Sequence, residues 1–363
     1  MAIPRIDDLD PRIAESLGYL GKTPAWTCVA DNRFCYFLYV PRNYHTREQV
    51  ELIVLIHHSD RNASEIRTHF APFADKHACI ILAPLFPIRA DDPQDSQGYK
   101  QLASGDVRYD QIVLSMVDEV KARFSRARVD RFYLYGFSGG AQFVHRFAYL
   151  YPARLKALAC GAPGSQTLPD DSLPYPAGVK DLEQVFGVAM QWEQVRAVPT
   201  IFIVGEADTD TFYLTARGRT LDPSIQNGRL GATTRLSESW LAAGANCHLQ
   251  TVPGRSTWRL RFWTMSCRFS RSAGSSNLEA WSGVMRLFNA RKIRYEGVLV
   301  VRIGAYWREN KMNDIPLWLV CVIYLLIRQL VYLVSALQSH SPWCMFFCGR
   351  ILKSTNLPTR LRI

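Results

Sequence analysis

Between residues 34 and 252 the chain alternates short apolar runs with stretches of helical spacing, and this restricts it to one fold class. Leu52–Ile56 reads Leu-Ile-Val-Leu-Ile, an unbroken apolar run as expected of a strand covered on both faces. Cys79–Ala83 is a second such run, with Pro84 expected to stop it. Phe34–Val40, Phe132–Tyr135, Leu155–Cys160, Thr200–Val204 and Cys247–Val252 read as further strands. Residues 63–77 carry helical spacing. Val113, Val117, Val120 and Phe124 mark a helix running to about Arg126, with Asp106 as its expected cap. Ala141–Leu150 is helix-like, and Ser237–Ala243 reads as a helix end stopped at Gly244. Strands and helices alternating in this way predict an α/β fold, a mostly parallel sheet with helices on both faces. Residues 163–199 break the rhythm with Pro and Asp clustered over Leu168–Pro176, and read as a lid-like insertion over the sheet.

Directly after the run Phe132–Tyr135 comes Gly136-Phe137-Ser138-Gly139-Gly140, a G-x-S-x-G pentapeptide, and then a helix. A serine at the tip of a sharp strand-to-helix turn has strained backbone angles, so its neighbours must lack bulk. The turn lifts the hydroxyl off the sheet. It also points the Gly139 N–H and the helix N-terminus towards a developing oxyanion.

On these residues the stretch of about 30–253 resembles the α/β-hydrolase superfamily, and within it esterase- and polyester-depolymerase-like members. The resemblance implies that Ser138 is the nucleophile. The strand Leu52–Ile56 ends in His57-His58-Ser59-Asp60-Arg61. His57 matches the family's histidine there, and His58 stands where glycine is usual. Gly139 would then supply one oxyanion donor, and the backbone N–H of His58 or Ser59 the other. Val204-Gly205-Glu206-Ala207-Asp208 looks like the G-x-x-D turn that carries the triad acid, which makes Asp208 the candidate, with Glu206 and Asp210 as nearby alternatives. The resemblance implies no cofactor and no metal. The insertion and the loop 86–105, with Phe86, Tyr99, Phe186 and Trp192, are expected to shape a partly apolar substrate pocket.

The third triad member is missing from its expected place. After the strand ending at Val252 the chain reads Pro253-Gly254-Arg255-Ser256-Thr257-Trp258, and the next histidine beyond His248 is His340. His145 falls two turns into the helix after the serine, and His45, His69 and His77 belong to earlier segments. The composition breaks at the same point. Residues 254–363 hold 17 Lys and Arg against 4 Asp and Glu, and six of the nine Trp, whereas residues 1–253 carry a net charge of −2. The chain therefore divides into an α/β-hydrolase domain, 1–253, and a basic, Trp-rich tail, 254–363. The coincidence of lost motif and shifted composition points to a tail that is not native hydrolase sequence. A mispredicted exon, a frameshift or a translated intron would produce it. Residues 315–337 are apolar and long enough to span a bilayer, although Arg328 sits within them at a cost.

These readings predict a serine hydrolase of carboxylic esters or related small acyl substrates, with its catalytic histidine not in evidence. The alternatives are a catalytically inactive α/β-hydrolase-like binding protein, or a hydrolase-like protein tethered to a membrane through 315–337. The start Met1-Ala-Ile-Pro-Arg-Ile-Asp-Asp has no signal-peptide pattern, so the expected location is the cytoplasm, or the membrane if the tail anchors. Nine scattered cysteines without a CxxC pair do not read as a disulfide scaffold, and the basic tail carries no recognised nucleic-acid motif.

Overall fold

The computed structural model describes residues 5–90, 97–211 and 227–254. The tail beyond Gly254, with the candidate span 315–337, lies outside the described residues. Among the described residues no helix is long and apolar enough to cross a membrane.

In chain order the elements are α1 (Pro11–Ser16), β1 (Gly21–Thr27), β2 (Cys35–Val40), β3 (Val50–Ile56), α2 (Ala63–His77), β4 (Cys79–Leu85), β5 (Ala103–Ser104), β6 (Val107–Arg108), α3 (Tyr109–Arg123), β7 (Ala127–Phe137), α4 (Gly139–Leu150), β8 (Leu155–Gly161), α5 (Leu182–Phe186), α6 (Trp192–Ala197), β9 (Thr200–Gly205), α7 (Gly228–Ala242) and β10 (Cys247–Val252). Eight strands form one sheet in the order β1-β2-β4-β3-β7-β8-β9-β10, and β5 pairs with β6 as a separate hairpin. The six strands from β4 to β10 run parallel, and β1 and β2 close one edge antiparallel.

Alternation along the strands separates two cores. Leu52, Val54 and Ile56 of β3 face Val113, Val117 and Val120 of α3, Phe143 and Phe147 of α4, and Leu236 and Trp240 of α7. Ile53 and Leu55 face the opposite layer, with Ile66, Phe70 and Phe73 of α2. The expected helices on both faces are therefore present.

Two local expectations fail. β4 continues through Pro84 to Leu85. Its pairing with β3 ends at Leu82, while its pairing with β2 runs on to Leu85. Pro84 thus sits where the strand is bonded on one side only, and its missing N–H is tolerated. Asp106 does not cap α3. It occupies the two-residue turn of the β5–β6 hairpin with Gly105, at φ 54°, and α3 begins at Tyr109 after Arg108.

The segment 163–199 is tied into the body. Arg146 of α4 donates from Nε to Thr167 Oγ1 (2.7 Å) and from Nη2 to Ser165 Oγ (3.1 Å). Tyr149 Oη donates to Thr167 O, and Val179, Leu182, Phe186, Val195 and Val198 are buried in the main core.

Candidate active site

The parallel register brings the C-terminal ends of the central strands into line. Ile56 of β3 pairs with Gly136 of β7, Gly136 with Cys160 of β8, Gly161 with Ile203 of β9, and Gly205 with Val252 of β10. His57, Ser138, the turn carrying Asp208 and the loop after β10 therefore leave the same edge of the sheet.

Ser138 links β7 to α4 with φ 53° and ψ −107°, a conformation strained for a residue with a side chain. Its N–H donates to Gly161 O (2.8 Å), and its carbonyl accepts from Gln142 N (3.2 Å). The small neighbours are sterically required. A Cβ on Gly136 would collide with the Gly140 carbonyl, and one on Gly140 with the carbonyl of Ile56 and, at 2.9 Å, that of His57. The turn is thus wedged against the end of β3, where the candidate oxyanion loop begins.

A Cβ on Gly139 would meet Tyr99 Oη, then Lys100 Cε at 2.8 Å and Ser59 Oγ at 3.1 Å. Gly139 and Ser59, two of the predicted oxyanion residues, are therefore neighbours. Among the described residues the backbone N–H groups of Gly139 and Ser59 have no acceptor. At Gly139 this follows from its place as the first residue of α4. His58 is half-buried, and its Nδ1 accepts from Asp60 N (3.2 Å).

His57 is fully buried and serves as an internal strut. Phe86 N–H donates to its Nε2 (3.1 Å), which leaves Nδ1 to donate to His58 O (2.8 Å). Burial pushes its pKa down to about 3, so the ring stays neutral. Its ring packs between Phe86 and Tyr99. Arg61 completes the loop. Its Nη1 donates to Ser59 O and its Nε to Phe86 O, each at 2.9 Å. Phe86, Tyr99 and Phe186 are buried at 0–4% exposure. They belong to the main core cluster, and Trp192 stacks on Tyr149.

Asp208 is buried beyond β9. Its N–H donates to Gly205 O, and its carbonyl accepts from Leu230 N of α7. Arg229 Nη1 lies 3.7 Å from Asp208 Oδ1. Glu206, one of the alternatives, instead receives Gly254 N on Oε2 (3.1 Å) and holds the start of the loop after β10.

Among the described residues no hydrogen bond joins a histidine to Ser138 Oγ. His145 is a second buried strut. Its Nδ1 donates to Ala141 O (2.7 Å), its Nε2 accepts from Thr167 N (3.0 Å), and burial lowers its pKa to about 3. His248 is the second residue of β10, at the end of the strand remote from the site. His340 lies outside the described residues.

Sequence reasoning missed Lys100 and Arg229. Each reaches the site from a segment without a motif, so only the folded chain brings it there.

No protein-family model matches the chain, and no curated protein matches it. Solved structures do. A poly(3-hydroxybutyrate) depolymerase from Bordetella parapertussis is 25% identical with a TM-score of 0.55, over 69% of this chain and 89% of that one. A poly(aspartic acid) hydrolase from Sphingomonas sp. KT-1 is 23% identical with a TM-score of 0.52, over 63% of this chain and 91% of that one. The chain has the α/β-hydrolase fold, as the serine motif and strand order implied.

Proposed function

We propose that the chain is a serine hydrolase of carboxylic esters or related acyl substrates. The observation that carries this reading is the strained Ser138 at the turn between β7 and α4, with Ser59 packed beside Gly139, the first residue of that helix. In this reading Ser138 Oγ adds to the acyl carbonyl carbon, and the two N–H groups receive the charge that forms on the carbonyl oxygen. The likeness to the poly(3-hydroxybutyrate) depolymerase from Bordetella parapertussis, whose substrate is a polyester, supports an ester as substrate.

In this reading Asp208, which follows β9 and lies 3.7 Å from Arg229 Nη1, is the triad acid. Among the described residues no histidine is bonded to Ser138, so none of them takes the serine proton. Turnover should then sit several orders of magnitude below that of a complete triad, with the oxyanion site supplying the remainder.

Treating the full-length protein with a fluorophosphonate probe, followed by peptide mapping, tests the reading. Covalent modification at Ser138, absent in Ser138→Ala, is the expected result. A folded sample that stays unmodified over hours would reject the hydrolase and favour a non-catalytic binding protein of the same fold.

A further inference from the structure

Lysine is among the residues least often buried, because its ammonium loses hydration inside a protein. Lys100 is 4% exposed. The fold holds it in place from both chain directions. Its carbonyl accepts from Arg146 Nη1 of α4 (2.6 Å), and its N–H donates to Gln97 O (2.9 Å). Its Nζ donates to the neutral amide oxygen of Gln97. The end of its side chain packs on Gly139, with Cε 2.8 Å from the point where a Cβ would stand and Ser59 Oγ 3.1 Å from the same point. The helix that begins with Gly139 is therefore also the helix whose Arg146 positions this lysine. The end of the lysine side chain thus borders the same point on Gly139 as Ser59 does, and Gly139 and Ser59 are the two residues whose N–H groups form the proposed oxyanion site.

We propose that Lys100 is a charge-stabilising residue of that oxyanion site. The inference rests on the serine-hydrolase reading. When Ser138 Oγ bonds to the carbonyl carbon, the carbonyl π pair moves onto oxygen and the hydroxyl proton passes to a solvent base. The new negative charge forms near a lysine that is 4% exposed, and a charge shielded from water acts more strongly than one in solvent. Among the described residues no histidine is bonded to Ser138, and where that base is missing electrostatic stabilisation carries more of the rate.

The test compares the full-length wild type with Lys100→Met, Lys100→Arg and Ser138→Ala. The readouts are the rate of fluorophosphonate modification at Ser138, kcat and KM for a p-nitrophenyl ester, and the near-UV circular dichroism spectrum. Lys100→Met should modify about tenfold more slowly or worse, with kcat reduced and KM little changed, and Lys100→Arg should recover most of the rate. If Lys100→Met loses the native spectrum, Lys100→Gln takes its place. A neutral variant that reacts at the wild-type rate overturns the proposal and leaves the hydrolase reading intact. Equal slowing in the neutral and Arg variants also overturns it, since packing rather than charge is then responsible. A folded wild type that never reacts at Ser138 overturns both.

Discussion

Arg229 Nη1 stands 3.7 Å from Asp208 Oδ1, with the two side chains 13% and 3% exposed. The carboxylate in the triad acid's position is thus matched by an arginine from the start of α7. Removing one member of such a pair leaves the other's charge buried. Arg229→Met should lower stability by about 2 kcal/mol, read from urea unfolding, and Asp208→Asn should cost less, because an amide keeps hydrogen-bonding capacity without a charge.

The strain at Ser138 has its own signature. Glycine reaches positive φ without steric penalty, whereas alanine retains the Cβ. Ser138→Gly should therefore be more stable than Ser138→Ala by about 1–2 kcal/mol, although both lack the proposed nucleophile. Equal melting temperatures for the two variants would count against a strained elbow.

Neighbouring glycines should respond differently to the same substitution. A Cβ at position 140 runs into the backbone carbonyls of Ile56 and His57, which cannot move without displacing the end of β3. A Cβ at position 139 meets the tips of the Tyr99 and Lys100 side chains. Gly140→Ala should be destabilising by about 1–3 kcal/mol, and Gly139→Ala by less. Thermal melts of the two variants decide the order.

His57 and His145 make stability depend on pH. Both are held neutral with pKa near 3, against about 6.5 in an unfolded chain. Above pH 6.5 they impose no penalty. As pH falls from 6.5 towards 3 the unfolded state gains protons that the folded state does not, so stability falls. The two together should remove about 4 kcal/mol between pH 7 and pH 5. Urea midpoints at the two pH values check this, and His57→Gln should remove about half of the slope.

Arg61 secures the proposed oxyanion loop through the carbonyls of Ser59 and Phe86. Lysine cannot make both bonds in that geometry. Arg61→Lys should slow fluorophosphonate modification of Ser138 about tenfold through misplacement of the Ser59 N–H. An unchanged rate would show that the loop is held without it.

Much of this protein is legible in its sequence, because strand runs and helix spacing are local. The run Leu52–Ile56 and the helical stretch 63–77 coincide with elements of the fold. Cys247–Val252 matches β10 in full. The G-x-S-x-G turn is legible for the same reason, since its steric demand falls on adjacent residues. The continuation of β4 through Pro84 was not, because it depends on which neighbouring strand still pairs at that point. The hairpin that takes Asp106 away from α3 was hidden likewise, since a capping residue and a turn residue look alike in isolation.

By itself the sequence determined the fold class, the G-x-S-x-G turn, the strand ends that carry Asp208 and His57-His58-Ser59, and the lack of a histidine in the residues directly after Val252. Only the tertiary structure decided what surrounds those residues. It turned His57 and His145 into neutral struts, set Arg229 against Asp208, and brought Lys100 onto Gly139. Motifs record constraints between neighbours along the chain. Burial, ion pairing and close packing arise between segments that meet only when the sheet is assembled.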